Sequence, residues 1–316
     1  MVTKRLALEV LQRRELTTEV VQLSLGLPDG VELPHWEPGA HVDLHLPNGM
    51  TRQYSLCGSP DDGGSWTVAI MRDQRSRGGS NSAWDDLEVG GQVEVSGPRN
   101  NFPLVEAQRY VFVAGGIGIT PLLPMVRSLA AGGADWKLVY GGRRRSSMAF
   151  ADELSEQYGD RVDLVPEDER GLIDLPAVLA VPDPASAVYV CGPEGLIAAA
   201  ERTAATWHDG ALRVERFVAS ALIAPNSEDA PFVVALRDGR RVSIPTSASV
   251  LEALRADGVD LDSSCEAGTC GTCEVGVLAG VPDHRDEVLD ENEKAANDAM
   301  MICVSRSLSP VLELDI

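Results

Sequence analysis

Positive charge is scarce in this chain. Lys and Arg number 27 against 48 Asp and Glu, a formal net charge of −21 over 316 residues. That imbalance argues against nucleic acid and anionic membrane as partners, because both repel an acidic surface. No apolar run approaches the ~18–20 residues that a membrane-spanning helix needs. The opening MVTKRLALEV mixes polar and apolar types and does not read as an export signal, so the expected location is the cytoplasm. Cysteine is also sparse, six in all, and nothing here calls for the oxidising compartment of a disulfide framework. Hydrophobic residues make up 44% of the chain, ample for packed cores. The length predicts two or three domains rather than one core.

Four of the six cysteines are unevenly placed. Cys265, Cys270 and Cys273 lie within SSCEAGTCGTCE, Ser263 to Glu274, and Cys303 follows after twenty-nine intervening residues. Four residues separate the first pair and two separate the second, the ligand spacing of a plant-type [2Fe–2S] cluster. Each iron wants a tetrahedral set of soft thiolates, so a loop carrying three of them must fold back on itself. Gly268 and Gly271 suit that turn and let backbone N–H groups approach sulfur. A structural zinc site pairs two short Cys steps, and Cys303 stands alone. Cys57 and Cys191, outside this set, read as buried small hydrophobes.

Residues from Lys4 to Pro98 alternate as short strands, among them HVDLHL from His41, WTVAIM from Trp66 and QVEVS from Gln92, broken by Gly, Pro and Asp turns. This pattern predicts a small antiparallel β-barrel, with one short helix in SNSAWDDL, Ser80 to Leu87. RQYSLC, Arg52 to Cys57, puts a cation, a ring and a hydroxyl on one extended segment, with Arg52 and Tyr54 on one face and Ser55 on the other. RGGSNS, Arg77 to Ser82, sets glycines and a serine before the helix, which suits a phosphate. Together they favour a ligand with a phosphate and a ring.

From Tyr110 strands and helices alternate, which predicts a doubly wound α/β domain with a parallel sheet. YVFVA runs into GGIGITP, Gly115 to Pro121, where a dinucleotide pyrophosphate would sit. Thr120 is the expected N-cap of the following helix, with Pro121 at its first position. CGPEG, Cys191 to Gly195, lies at the carboxyl end of a later strand. LIAPNSEDAP, Leu222 to Pro231, reads as a linker. The remainder reads as an α+β module: a hairpin turned at Asp238-Gly239, a helix with Val250, Leu251 and Leu254 facing inward, the cysteine loop, and a strand MICVS bearing Cys303. It holds 16 acidic and 7 basic residues from Phe232 onward, a net −9 that in the commoner case only solubilises and around a redox centre could also steer a basic partner.

As an ordered set, RQYSLC, RGGS, SGPRNNFPL, AGGIGITP, CGPEG, CEAGTCGTCE, DHRD and ICVSRS resemble the phthalate dioxygenase reductase family, which includes vanillate demethylase reductases. The likeness spans essentially the whole chain. It implies an FMN-binding β-barrel at residues 1–103, an NAD(P)-binding α/β domain at 104–222, a linker at 223–231 and a β-grasp [2Fe–2S] ferredoxin at 232–316. By the same likeness, Arg52, Tyr54 and Ser55 sit at the flavin, with Gly78, Gly79 and Ser80 near its phosphate. Gly116, Gly118, Thr120 and Pro121 line the nicotinamide nucleotide, and Cys191, Gly192 and Pro193 approach its ring. Glu215 and Phe217 edge the pocket between the two rings, and Ser55, Cys191 and Phe217 act at the reaction centre.

Two features depart from the family pattern. Met71 stands where some members carry a basic residue, which leaves the flavin phosphate more dependent on Arg52. Arg143, Arg144 and Arg145 follow KLVYG, with no acid to take a ribose hydroxyl. A basic triplet there could hold a 2′-phosphate, although the resemblance keeps NADH ahead of NADPH. The expected function is a reductase that passes electrons from NADH through FMN to the cluster and on to a separate oxygenase. That oxygenase is a Rieske-type aromatic hydroxylase or demethylase, with a cytochrome P450 as the alternative and a monomeric donor expected. A non-catalytic electron-transfer module would have no need of both GGIGITP and CGPEG, and a free flavin reductase would leave the cysteine loop without a purpose.

Overall fold

The computed structural model describes residues 5–72, 79–208, 210–217 and 229–316, and the side chains of all of these except residues 79 and 80. The expected linker therefore lies outside the described residues up to position 228, and so does Gly78. The chain divides into two compact units, one ending at Arg216 and the other beginning at Phe217.

The first unit opens with β1 (Arg5–Thr17), β2 (Val20–Gly26), β3 (His41–His45), β4 (Thr51–Ser55), β5 (Trp66–Met71), α1 (Gly79–Asp85) and β6 (Gln92–Arg99). The strands form one antiparallel sheet ordered β4-β3-β6-β1-β2-β5. A bridge from Leu56 to Val68 joins its two edges and closes the sheet on itself. Period-two alternation drives this closure, since Leu8, Val10, Leu23, Leu25, Val42, Leu44, Val93 and Val95 all turn into one core. Asp43 is buried there, and Arg99 donates to its carboxylate at 2.5 Å, so the charge is paired rather than stranded.

The unit continues with β7 (Arg109–Gly115), α2 (Leu122–Ala131), β8 (Asp135–Gly142), α3 (Ala151–Tyr158), β9 (Val162–Pro166), α4 (Glu167–Arg170), α5 (Leu175–Val178), β10 (Ser186–Cys191), α6 (Glu194–Thr203) and β11 (Leu212–Glu215). All five strands are parallel, ordered β11-β10-β7-β8-β9. Both faces are covered, as the apolar strands require. Phe112, Ala114 and Tyr189 pack with α2 and α3 on one side. Val113, Val188 and Val190 pack with α5 and α6 on the other. The order of connection reverses between β7 and β10, where such sheets bind ligands.

The second unit holds β12 (Phe232–Leu236), β13 (Arg241–Ile244), α7 (Val250–Ala256), β14 (Glu274–Ala279), β15 (Pro282–Asp283), α8 (Glu291–Ala296), β16 (Ala299–Met301), β17 (Arg306–Ser307) and β18 (Val311–Leu314). Its mixed sheet runs β13-β12-β18-β14-β16, and β15 pairs with β17. The hairpin turns where expected, with Gly239 at φ +89. Ser249 and Glu252 make a reciprocal cap at the start of α7, and Val250, Leu251 and Leu254 are fully buried beneath it.

Two local expectations need correction. Thr120 does not cap α2: Pro121 holds that position, and the Thr120 hydroxyl donates to the Ile117 carbonyl at 3.0 Å. A tight turn over Gly116–Ile119 precedes the helix and satisfies Thr120 internally. Cys303 does not lie in a strand either. The strand stops at Met301, and the chain turns so that the Val304 and Ser305 amides donate back to the Met301 carbonyl. No helix among the described residues is long and apolar enough to cross a membrane.

Candidate functional site

The cysteine loop is built as its spacing requires. Gly268 and Gly271 adopt φ of +70 and +75, and Glu266 also takes a left-handed conformation at +49. A Cβ on Gly268 would meet Val304 Cγ2 at 2.7 Å, so that glycine is needed for space as well as for its backbone angle. The Ala267 and Thr269 amides donate to Cys265 Sγ at 3.3 and 3.4 Å. Cys265 is hydrogen-bonded to Cys270 and Cys303, contacts that hold its thiol well below the usual range. Cys303 in turn contacts Cys273. The four predicted sulfurs are thus brought together, in pairwise contact. Among the described residues no His, Cys, Asp or Glu side chains are grouped as a shell for one ion. Four thiols and inward N–H groups are a donor set that fits a two-iron, sulfide-bridged cluster.

The DHRD segment supports this loop from behind. Glu287 N donates to the Gly268 carbonyl at 2.9 Å. Asp286 accepts from the Val288 and Leu289 amides and from the Ser305 hydroxyl, two residues beyond Cys303. Arg285 pairs with both Asp229 and Asp283 at 2.6 Å.

A second cluster of predicted residues meets in the first unit. Cys191 stands in register with Ala114 on one side and Glu215 on the other, at the carboxyl ends of three adjacent parallel strands. The Ser55 hydroxyl, at the end of β4, donates to Glu215 Oε2 at 3.5 Å. Burial pushes the partly accessible Glu215 carboxyl up to about 8, with the Ser55 bond opposing. The Cys191 thiol is raised by its own burial and further by the Glu215 charge. Arg52 and Tyr54 are half-buried on β4 and Ser55 is buried. Burial raises the Tyr54 phenol, and the charge of Arg52 works against that.

Above Cys191 the two predicted loops touch through glycines. A Cβ on Gly118 would fall 2.3 Å from the Cys191 carbonyl oxygen, and one on Gly192 would fall 2.9 Å from Gly115 Cα. Gly115 would likewise collide with Pro193 Cδ at 2.7 Å. Gly116 has φ +55 and open space in front of it. Backbone thereby takes the place of side chains along the rim, the condition for close approach of a pyrophosphate.

The other predicted positions are looser. Gly79 and Ser80 begin α1. Met71 ends β5 and is exposed, while the neighbouring Arg72 pairs with Asp85 at 3.0 Å. Arg143 and Arg144 are exposed beyond β8, and Arg145 is held by Asp152 at 2.7 Å. Phe217 follows β11 and is exposed. Sequence reasoning missed Arg127, which joins α2 to the end of the Arg52–Cys57 segment. A single arginine on a helix reads as a solvated face, and no motif marks it.

Cysteinyl cluster loop, glycine-lined switch point and barrel strand together define an oxidoreductase with separate two-electron and one-electron sites. Comparison agrees: residues 234–308 match the 2Fe-2S iron-sulfur cluster binding domain family and residues 112–202 the oxidoreductase NAD-binding domain family. The chain is 39% identical to the phthalate dioxygenase reductase of Burkholderia cepacia over 317 residues, 98% of this chain and 97% of that one. A solved phthalate dioxygenase reductase, described as a modular structure for electron transfer from pyridine nucleotides to [2Fe–2S], superposes with a TM-score of 0.74 at 38% identity, covering 99% and 98% of the two chains. An intact type IV self-sufficient cytochrome P450 monooxygenase superposes with a TM-score of 0.91 at 42% identity, covering 99% of this chain. This chain spans only 41% of that P450 protein. The chain belongs to the phthalate dioxygenase reductase family.

Proposed function

We propose that this chain is the reductase component of an oxygenase system, carrying electrons from NADH through FMN to its [2Fe–2S] cluster and then to a Rieske-type aromatic oxygenase or demethylase. When bound, the flavin accepts a hydride from nicotinamide and passes electrons singly to a one-electron centre. The observation that carries this reading is the convergence of Ser55, Cys191 and Glu215 below the glycine rim, in the same chain as four gathered thiols.

In this reading the protein's own residues supply position rather than acid–base chemistry. Arg52 neutralises the flavin phosphate, with Gly78, Gly79 and Ser80 near it, and Tyr54 lies along the ring. The Ser55 hydroxyl turns from Glu215 Oε2 to donate to the flavin's reactive edge, and the protonated Glu215 carboxyl donates to Ser55 Oγ in exchange. Gly116, Gly118, Thr120 and Pro121 admit the pyrophosphate to the backbone, and Cys191, Gly192 and Pro193 present the nicotinamide ring. Phe217 edges the pocket between the two rings, and Arg143 lies toward the ribose. Cys265, Cys270, Cys273 and Cys303 ligate the cluster. We take residues 1–103 as the flavin lobe, 104–222 as the nicotinamide lobe and 232–316 as the electron-exit module. We place the protein in the cytoplasm as a monomeric donor, consistent with transient delivery to a partner.

A P450 acceptor is the second reading, favoured by the close superposition on the self-sufficient P450 chain. Both share one test of the path. NADH-driven cytochrome c reduction is expected in the purified chain and expected to vanish in Cys303→Ser, while NADH still bleaches the flavin of that variant. Full cytochrome c reduction by Cys303→Ser would remove the cluster from the path. Turnover with a purified Rieske oxygenase and with a P450 then separates the two acceptors.

A further inference from the structure

Arg127 lies on α2 beside its core-facing stripe, in which Leu122, Leu123, Met125, Val126 and Leu129 are all buried. Its guanidinium leaves the helix toward the barrel. One arm, Nη1, donates to the Cys57 carbonyl at 2.8 Å and reaches the Gly58 carbonyl at 3.5 Å. The other arm, Nη2, donates to Glu153 Oε1 on α3 at 2.8 Å. Cys57 is already tied into the barrel, because its amide donates to the Thr67 carbonyl at 2.8 Å. The Cys57 carbonyl is therefore a fixed point of the barrel, two residues beyond Ser55.

The elements joined in this way matter. Helix α2 begins directly after Pro121, so it continues the loop whose glycines open the nucleotide cradle. Segment Arg52–Cys57 carries the side chains that face the flavin. We propose that Arg127 is a positioning residue, one that fixes the flavin strand against the nicotinamide loop through the Cys57 carbonyl. This rests on the flavin–nicotinamide reading above. Arginine suits the task because its planar fork holds a carbonyl and a carboxylate in different directions at once. An ordinary exposed ion pair with Glu153 would contribute little. The bond to a backbone carbonyl of the other lobe turns that pair into a brace.

Hydride transfer depends steeply on the distance between donor and acceptor, and a displacement of ~1 Å costs on the order of a hundredfold. The test uses the full, cofactor-loaded chain and anaerobic rapid mixing with NADH, with rates expressed per bound flavin. Arg127→Met is expected to slow flavin reduction about tenfold and to weaken the long-wavelength charge-transfer absorbance of the nicotinamide–flavin pair. The NADH concentration for half-maximal rate should stay within about twofold, since Arg127 does not touch the nucleotide cradle. Arg127→Lys should fall in between, because one ammonium cannot hold Cys57 and Glu153 together. A per-flavin rate and charge-transfer band equal to wild type in Arg127→Met overturns the inference. If that variant does not fold, the same equality in Arg127→Lys overturns it. A wild-type chain that fails to reduce its flavin with NADH would instead overturn the reading on which the inference rests.

Discussion

Glu215 is a carboxyl whose chemistry departs far from what its type suggests. Desolvation at the end of β11 lifts its carboxyl from 4.5 to about 8, so the folded chain holds a proton that the unfolded chain releases. Folding takes up that proton between the two values. The stability associated with it is complete below 4.5 and is lost as pH rises toward 8. Melting temperature should therefore fall from pH 5 to pH 8 more steeply in wild type than in Glu215→Gln, which has nothing to titrate. Parallel slopes in the two proteins would show that this carboxyl is already ionised near neutrality. The gathering of Cys265, Cys270, Cys273 and Cys303 was legible in the sequence because a shared binding chemistry dictates both residue type and interval. Glu215 and Arg127 act through partners 160 and 70 residues away, and no local pattern records such pairings.

At the level of elements, the glycine rim is the most exposed to test. Gly118→Ala would place a methyl group 2.3 Å from the Cys191 carbonyl, so either the loop or the end of β10 must move. A cost of ~1–3 kcal/mol in stability is expected, together with weaker NADH binding read by titration. Gly195→Ala, in the first turn of α6 with nothing within 4 Å of the new methyl, is the control. It should leave NADH affinity unchanged and be neutral or stabilising by up to ~1 kcal/mol. Equal losses in the two variants would mean that the rim has no special role. The apolar run of β7 and the amphipathic face of α7 were legible because burial fixes periodicity. The Thr120 cap and the Cys303 strand were misread by a few residues, since a tight turn and a hairpin end satisfied the backbone differently. The closing bridge from Leu56 to Val68 is a matter of tertiary register, which no stretch of sequence displays.

For the molecule as a whole, the order of modules along the chain was readable, because each sheet has its own periodicity and its own loop chemistry. Contact divides the described chain differently: barrel and parallel sheet form one compact unit, and the module with the cysteine loop forms the other. Arg127 and Tyr189 contribute to that grouping: the Tyr189 hydroxyl donates to the Pro103 carbonyl across the join and accepts from the Val105 amide on its own side. The first unit thus has the means to take electrons in pairs, and the second has thiols suited to a centre that takes one. Anaerobic titration of the fully loaded protein with NADH tests this division most directly. Two electrons stored on the flavin and one on the cluster require about 1.5 equivalents of NADH per chain, and Cys303→Ser should need about 1. A loaded wild-type chain that stops at about 1 equivalent with its cluster still oxidised would contradict the account.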